Sequence, residues 1–447
     1  MRAFYAEYTR ETAPHDAWRG WLDTALTARA PLIAGVAPGR PFTLTLDAPS
    51  ALFPHETQWS GDSLWFAPND DFFLAGAGDG LDVLDPRGWR AEQSRWVRLG
   101  RQSAPLAFLT APPLGGEAQI RTPAVLLRRA GADLSLQLSG RRDASSPALV
   151  AHGWRTNLAS ILSRPLRGVG GGIVERRFSP DRDAWTSRVL AATRAIKAGR
   201  FDKVVLARRL DVALDRAIDP LWLARALVRA APEGRIFKLK LGAGALVAAS
   251  PELLAVKRGM RVTSHALAGT APYFGDAPAD WRAEQNLFAS PKERREHQLV
   301  VASIAEGMRG ICDDVAHAPT PGLMRLRRLC HLWTPVTGRL RPGFDLFDLL
   351  AILHPTPAVL GFPRAAARAF LHEIEESRDS LYTGLAGWID GDGDGDAAVV
   401  LRSAYLEGAQ ARLWAGAGIM AESDPEAEWA ETELKMSGLL DLLEPPI

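Results

Sequence analysis

Apolar residues follow two rhythms along this chain. In "GRFDKVVLARRLDV", residues 199–212, Val204, Val205, Leu206 and Ala207 form a short apolar run bounded by polar residues and a glycine, which predicts a buried strand. Upstream, Trp185, Val189, Ala192 and Ile196 recur at helical spacing. Ser179-Pro180-Asp181 supplies a start for that helix, with serine as cap, proline at the first helical position and aspartate in the first turn, and Gly199 ends it. Further along, "IFKLKLGAGALVAAS", "ELLAVKRGMRVTSHALAGT" and "LYTGLAGWIDGDGDGDAAVVLRSAYLEG" read as strands joined by tight glycine turns, and "PLWLARALVRA", "SPKERREHQLVVASIAEGMRG" and "DPEAEWAETELKMSGLLDLL" read as helices. Residues 1 to about 150 alternate short apolar runs with Pro/Gly punctuation and predict strands and turns. The stretch "RPLRGVGGGIVERRFSP", residues 164–180, is a glycine-rich, charged connector; no Gly-Lys-Ser/Thr follows its glycines, so it is not a phosphate loop. Strand runs mixed with helix runs, without a strict βαβα rhythm, predict an α+β fold with antiparallel sheets.

Composition narrows the function classes. The chain has 447 residues, 47% of them apolar and 23% charged, with a formal net charge of +1, which describes an ordinary globular protein. That balance offers no basic field for nucleic acid and no polybasic patch for a membrane. No run of about 18 apolar residues exists to span a bilayer. "MRAFYAEYTRETAPHDAW" lacks the basic segment and apolar core of a secretory signal, and with only Cys312 and Cys330 a disulfide framework is excluded. The expectation is a cytoplasmic protein.

Lys203, at the entrance of the buried strand, is either a surface residue snorkelling to water or a charge placed for chemistry. Ser290 caps a helix on which Glu293 and Glu296 lie three apart, on one face. Glu428, Glu431 and Lys435 fall at i, i+3 and i+7 on another helix, again on one face. An isolated ExxE is usually a solvated helix face. Here "WAGAGIM" places a Gly-Ala-Gly turn just before the second helix, where backbone can approach an anion closely, and two such helices facing one cleft would offer two to four hard oxygen ligands suited to Mg²⁺. Two other signals fail. "DGDGDGD", residues 390–396, has Leu401 where a calcium loop needs glutamate at its twelfth position and reads as a hairpin loop. Cys312, His317, Cys330 and His331 fit no zinc spacing and suit core or surface roles.

The segments "FDKVVLAR", "ASPELL", "ALAGT", "SPKERREHQLVV", "LHPTPAVLGFPR", "SRDSLYTGLAGW", "VVLRSA", "AGAGI" and "EAEWAETELK", taken in this order between about 180 and 440, resemble the chorismate-utilising enzyme family. Within it, "HPTPAV" followed by "GFP" is most similar to isochorismate synthases. The resemblance implies one large chorismate-binding α+β fold of antiparallel sheets packed together and flanked by helices. Residues 1–175 would form a divergent, strand-rich portion of that fold, and residues 176–447 the catalytic region. It implies an isomerase of the hydroxymutase type that depends on Mg²⁺ and converts chorismate to isochorismate for siderophore, menaquinone or salicylate biosynthesis. It also implies a monomer, with no glutamine amidotransferase subunit.

Lys203 matches the family's water-activating lysine, and Ala268 stands in "ALAGT" where aminodeoxychorismate synthases often carry lysine, so both positions favour water as nucleophile. The resemblance gives Glu252 the role of general acid. It makes Glu296 and Glu431 metal ligands, with Glu293 and Glu428 as further ligands or water-bridged partners. Arg402 becomes the clamp for the enolpyruvyl carboxylate, assisted by Tyr382, Gly416 and Lys435, while Gly269 and Thr270 contact the ring side. His354 either lines the site or orients a loop. Ala266, where proline is common, and Leu360, where many relatives have a small residue, are departures that bear on substrate geometry. The alternative is a salicylate synthase, which also eliminates pyruvate; the Arg378-x-x-x-Tyr382 spacing is compatible with either.

Overall fold

A computed structural model describes residues 17–53, 55, 59–100, 105–114, 116–142, 147–162, 171–273, 275–374, 376, 378–379 and 381–444. The N-terminal 16 residues and the glycine-rich stretch 164–170 lie outside the described residues. The chain is α+β, and it divides into two compact units: the described residues of 1–107 and 121–165, and those of 108–120 and 166–447.

In the first unit, strands Ser63–Ala67, Phe72–Asp79, Pro123–Ala130, Asp133–Arg141, Pro41–Asp47 and Val97–Gly100 lie side by side in that order. The last pair is parallel and the others are antiparallel. Alternation had suggested strands and turns alone here, but three helices intervene: Ala17–Ala34, Pro86–Gln93 and Pro147–Leu162. The first buries Trp18, Leu22 and Leu26, a one-residue-per-turn stripe too sparse to stand out in the pattern.

The second unit holds two sheets. In one, Gly361–Phe362, Lys203–Leu214, Gln410–Ile419, Ser403–Glu407, Gly244–Ser250 and Arg235–Leu241 follow one another, and Ile173–Ser179 pairs with Lys203–Leu214. In the other, the order is Cys312–His317, Leu329–Leu340, Arg261–Pro272, Leu253–Arg258, Gly395–Val399 and Leu385–Asp390, continued by strands from the 108–120 segment. Helix Arg182–Lys197 lays Trp185, Val189 and Ala192 against Val204, Leu206, Ala417, Ile419 and Trp429 in one core. Successive strand residues point to opposite faces. Val204 and Leu206 therefore face helices, and Val205 and Ala207 face the other way, toward the cavity described below.

Three local readings change. Asp181, not Ser179, caps the helix, because its carboxylate accepts the Ala184 N–H at 2.9 Å while Ser179 stays in the strand paired to Arg209. Part of the supposed connector is that strand, Ile173–Ser179. Gly416-Ala417-Gly418 is no turn: it lies inside Gln410–Ile419, with Gly416 opposite Ala207 and Gly418 opposite Val205. The aspartate-rich loop does close a hairpin, with Asp390 accepting the amides of Asp392 and Asp394, and Asp394 pairing with Lys257 at 3.1 Å.

Candidate active site

Within the second unit a cavity of about 680 Å³ is walled by both sheets and by the Pro425–Leu443 helix. Lys203 opens its strand and is fully buried, which ends the surface reading. Its Nζ lies 2.7 Å from Glu296 Oε1. Glu296 lines the cavity and Lys203 stands behind it, outside the lining. Burial opposes ionisation of Glu296, but Lys203 first, then Lys435 and Lys292, together outweigh burial and hold the carboxyl below its usual range. The pair crosses directly over Gly418: a Cβ there would sit 2.3 Å from Glu296 Oε1 and 2.8 Å from Lys203 Cε. A Cβ on Gly416 would meet Leu206 O and the Tyr382 hydroxyl, each at 3.0 Å. The glycines of "AGAG" thus fall on the face where side chains from three other elements converge.

Glu252, between two strands, lines the same cavity and is 2% exposed. Thr356 Oγ1 donates to its Oε1 at 3.0 Å. Burial raises this carboxyl to about 7, against the lowering pull of Thr356, Lys203 and Lys435. Glu252 is therefore an acid that keeps a proton near neutrality, the property a general acid needs.

Arg402 is held in a left-handed backbone conformation, φ 49°, as are Leu381 (65°) and Thr383 (63°). Such conformations concentrate at ligand sites. Arg402 Nη2 donates to His331 Nε2 at 3.0 Å, and His331 Nδ1 faces the Gly269 carbonyl at 3.1 Å and Thr270 Oγ1 at 3.2 Å. Only Nδ1–H can satisfy a carbonyl, so Nε2 is the acceptor. Burial, then Arg402 and Lys435, push the imidazole well below its usual range, so it is neutral and can accept. The guanidinium itself is lowered to about 10 by burial and stays charged at neutral pH. Tyr382 stacks on Trp414 with centroids 6.2 Å apart, and burial drives its phenol upward, so it remains a donor. A second cavity, of about 580 Å³, shares Pro251, Arg402 and Lys435 with the first.

Gly269 sits at a register break in its strand with φ 78°. The adjoining Thr270 N–H donates to Glu293 Oε2 at 3.0 Å. The carboxylates of the two helices are engaged by lysines: Lys292 lies 2.7 Å from Glu428 and 3.7 Å from Glu293, and Lys435 bonds Glu431 and the Gly416 carbonyl. Burial and the neighbouring Glu296 raise Glu293 to about 7; burial and Glu431 raise Glu428. Among the described residues no three His, Cys, Asp or Glu stand together as a ready ligand set. Glu296 and Glu431 line the cavity; Glu293 and Glu428 do not.

Of the expected residues, the structure brings Glu252, Gly269, Thr270, Glu296, Tyr382, Arg402, Gly416, Glu431 and Lys435 to one cavity. His354 is not in its wall; Nε2 donates to the Thr383 carbonyl at 2.8 Å and so fixes a loop residue that is. Arg378 is likewise buried in the framework, bonded to Glu376 at 2.9 Å and to the Val205 carbonyl at 2.7 Å. Sequence reasoning overlooked His331, set aside with the cysteines, and Thr356, which sat unexamined inside "HPTPAV". No helix among the described residues is long and apolar enough to cross a membrane.

A buried acid, a buried lysine, a half-buried arginine and acidic helices around one cavity define an enzyme site for a small anionic substrate. The chain belongs to the family described as chorismate binding enzymes, whose profile matches residues 116–444. It is 34% identical over 364 residues to the salicylate biosynthesis isochorismate synthase of Pseudomonas aeruginosa, covering 80% of this chain and 72% of that protein. It is 38% identical over 271 residues to the isochorismate synthase EntC of Escherichia coli K12, covering 60% and 69%. The solved structure of MenF, the menaquinone-specific isochorismate synthase from Escherichia coli, superposes with a TM-score of 0.81 at 28% identity, covering 95% of this chain and all of that one.

Proposed function

We propose that this protein is an isochorismate synthase. Water adds at C2 of chorismate, the ring double bonds shift, and the C4 hydroxyl leaves; one water is consumed and one released. Glu252, held protonated by burial, gives its proton to the departing hydroxyl. Lys203, freed of its ammonium proton when the pair with Glu296 opens, takes the proton from the attacking water. Its amine reaches the cavity once Glu296 withdraws from the 2.7 Å pair. Arg402, oriented by neutral His331, clamps a substrate carboxylate, and Tyr382 and Lys435 add donors beside it. The observation that carries the reading is Glu252, a proton-bearing carboxyl lining the same cavity as Glu296, behind which the lysine waits.

The residues also fit Mg²⁺. Glu296 and Glu431, with Glu293 and Glu428 beside them, are hard oxygen donors, and their mutual repulsion is the charge that a dication relieves. Lys203, Lys292 and Lys435 pair with all four carboxylates, so they yield when the donors gather. When bound, the metal neutralises a substrate carboxylate among these glutamates.

Purified protein incubated with chorismate and Mg²⁺ is expected to yield isochorismate. Salicylate with stoichiometric pyruvate would assign the lyase alternative instead, and unchanged chorismate would overturn the enzymatic reading.

A further inference from the structure

We infer that Arg208 is a positioning residue that sets the rotation of the helix carrying Glu428 and Glu431 and so tunes the affinity of the carboxylate site for its divalent cation. This rests on the metal reading above. Arg208 lies on the strand that begins with Lys203 and is 1% exposed. Its guanidinium carbon lies 3.4 Å from the Trp429 ring centroid and 4.4 Å from that of Phe178. Nε donates to Thr432 Oγ1 at 2.6 Å and Nη2 to the Trp429 carbonyl at 3.2 Å. The Thr432 hydroxyl donates in turn to that carbonyl at 2.7 Å. The three groups close a triangle on the helical turn 429–432, which overlaps the turn presenting Glu428 and Glu431.

Among the described residues Arg208 forms no ion pair with a carboxylate, and its Nη1 is buried without a hydrogen-bond partner. A buried cation of this kind is a poor source of stability, and an apolar side chain of similar volume is often as stable or more so. What the planar fork provides is orientation: two donors in a fixed geometry, clamped between aromatic faces. Side chains end roughly 5 to 6 Å from a helix axis, so a rotation of about 10° displaces a carboxylate by about 1 Å. Metal–ligand distances tolerate about 0.2 Å.

The test is Mn²⁺ binding to the full-length protein without substrate, read from the electron paramagnetic resonance of free Mn²⁺, alongside melting temperature. Thr432→Val removes the hydroxyl at constant shape; Arg208→Met removes the fork and charge; Arg208→Lys keeps only the charge. The expected result is an affinity loss of about 10- to 100-fold in all three, the range for groups that orient metal ligands. Thr432→Val and Arg208→Met should melt within a few degrees of the parent, and excess Mg²⁺ should restore turnover. If Arg208→Met does not fold, Thr432→Val decides. Mn²⁺ affinity within twofold of the parent in Thr432→Val overturns the inference while leaving the metal site intact, as does full rescue by Arg208→Lys. A parent that binds no Mn²⁺ overturns the metal reading and the inference with it.

Discussion

Replacing Gly418 by alanine adds one methyl group at the point where Lys203 and Glu296 cross. The new Cβ would lie 2.3 Å from Glu296 Oε1, 2.8 Å from Lys203 Cε and 3.1 Å from Glu296 Cδ. Both contacts are too short, so the pair must shift. Lys203 is sealed at 0% exposure, so Glu296, which borders the cavity, is the one to retreat, by about 1 Å to regain normal contact. Overpacking of this size costs about 1–3 kcal/mol, and in a chain of this length the melting temperature should fall by roughly 1–5 °C. Catalysis should suffer more, because a displacement of about 1 Å in a reacting group costs about 10²-fold. The comparison is Gly438→Ala on the Pro425–Leu443 helix, where a Cβ meets nothing within 4 Å. That change should stabilise by roughly 0.5–1 kcal/mol through helix propensity alone. Calorimetry and chorismate turnover of the two variants separate a general intolerance of alanine from the specific crossing. A Gly418→Ala protein with the parent's melting temperature and kcat/KM within threefold would refute the reasoning.

Lys203→Gln should fold, bind chorismate, and lose about 10²-fold or more in single-turnover conversion; near-native conversion would remove Lys203 from the chemistry. Glu252→Gln should lose about 10²- to 10⁴-fold in kcat, and in the parent kcat should decline as pH rises through about 7, the point at which Glu252 gives up its proton. The same group works on stability: its folded value of about 7 exceeds the ordinary 4.5, so the folded state binds the extra proton and parent stability falls as pH climbs from about 4.5 past 7. Glu252→Gln should reduce that slope by its own share, roughly 3 kcal/mol once the carboxyl is fully ionised, leaving the part carried by Glu293 and Glu428, and a slope unchanged in urea titrations across this range would place its cause elsewhere. Arg402→Ala should raise KM for chorismate with a smaller effect on kcat, since a carboxylate clamp acts in ground and transition states alike; an unchanged KM would reassign it to packing. Chelation with EDTA should abolish turnover, and Glu431→Ala should match it; full activity of that variant without added metal would exclude the ligand assignment.

The α+β class, the strand at Lys203, the helices at 220, 291 and 425, and the hairpin around the aspartate-rich loop were legible because each rests on local periodicity or turn chemistry. The spacing of Glu293 with Glu296 and of Glu428 with Glu431 placed each pair on one helix face for the same reason. Other properties come from contacts between residues distant along the chain. Whether Lys203 was surface or core was undecidable at the strand entrance; Glu296, 93 positions away on another helix, settles it across the face left open by Gly418. Glu252 holds its proton near neutrality because the fold removes its water, which outweighs the opposing pull of the Thr356 hydroxyl from the "HPTPAV" loop. His331 looked like half of a failed zinc motif until strand pairing set it beside Thr270 and carried its ring to Arg402. Asp181 prevailed over Ser179 as a cap because Ser179 was already committed to a strand partner at Arg209. Sequence alone determined which elements form and which faces carry charge, since neighbours three or four residues apart decide that. Only tertiary structure decided burial, pairing and protonation, because desolvation and Coulomb interaction depend on distances that chain order does not encode.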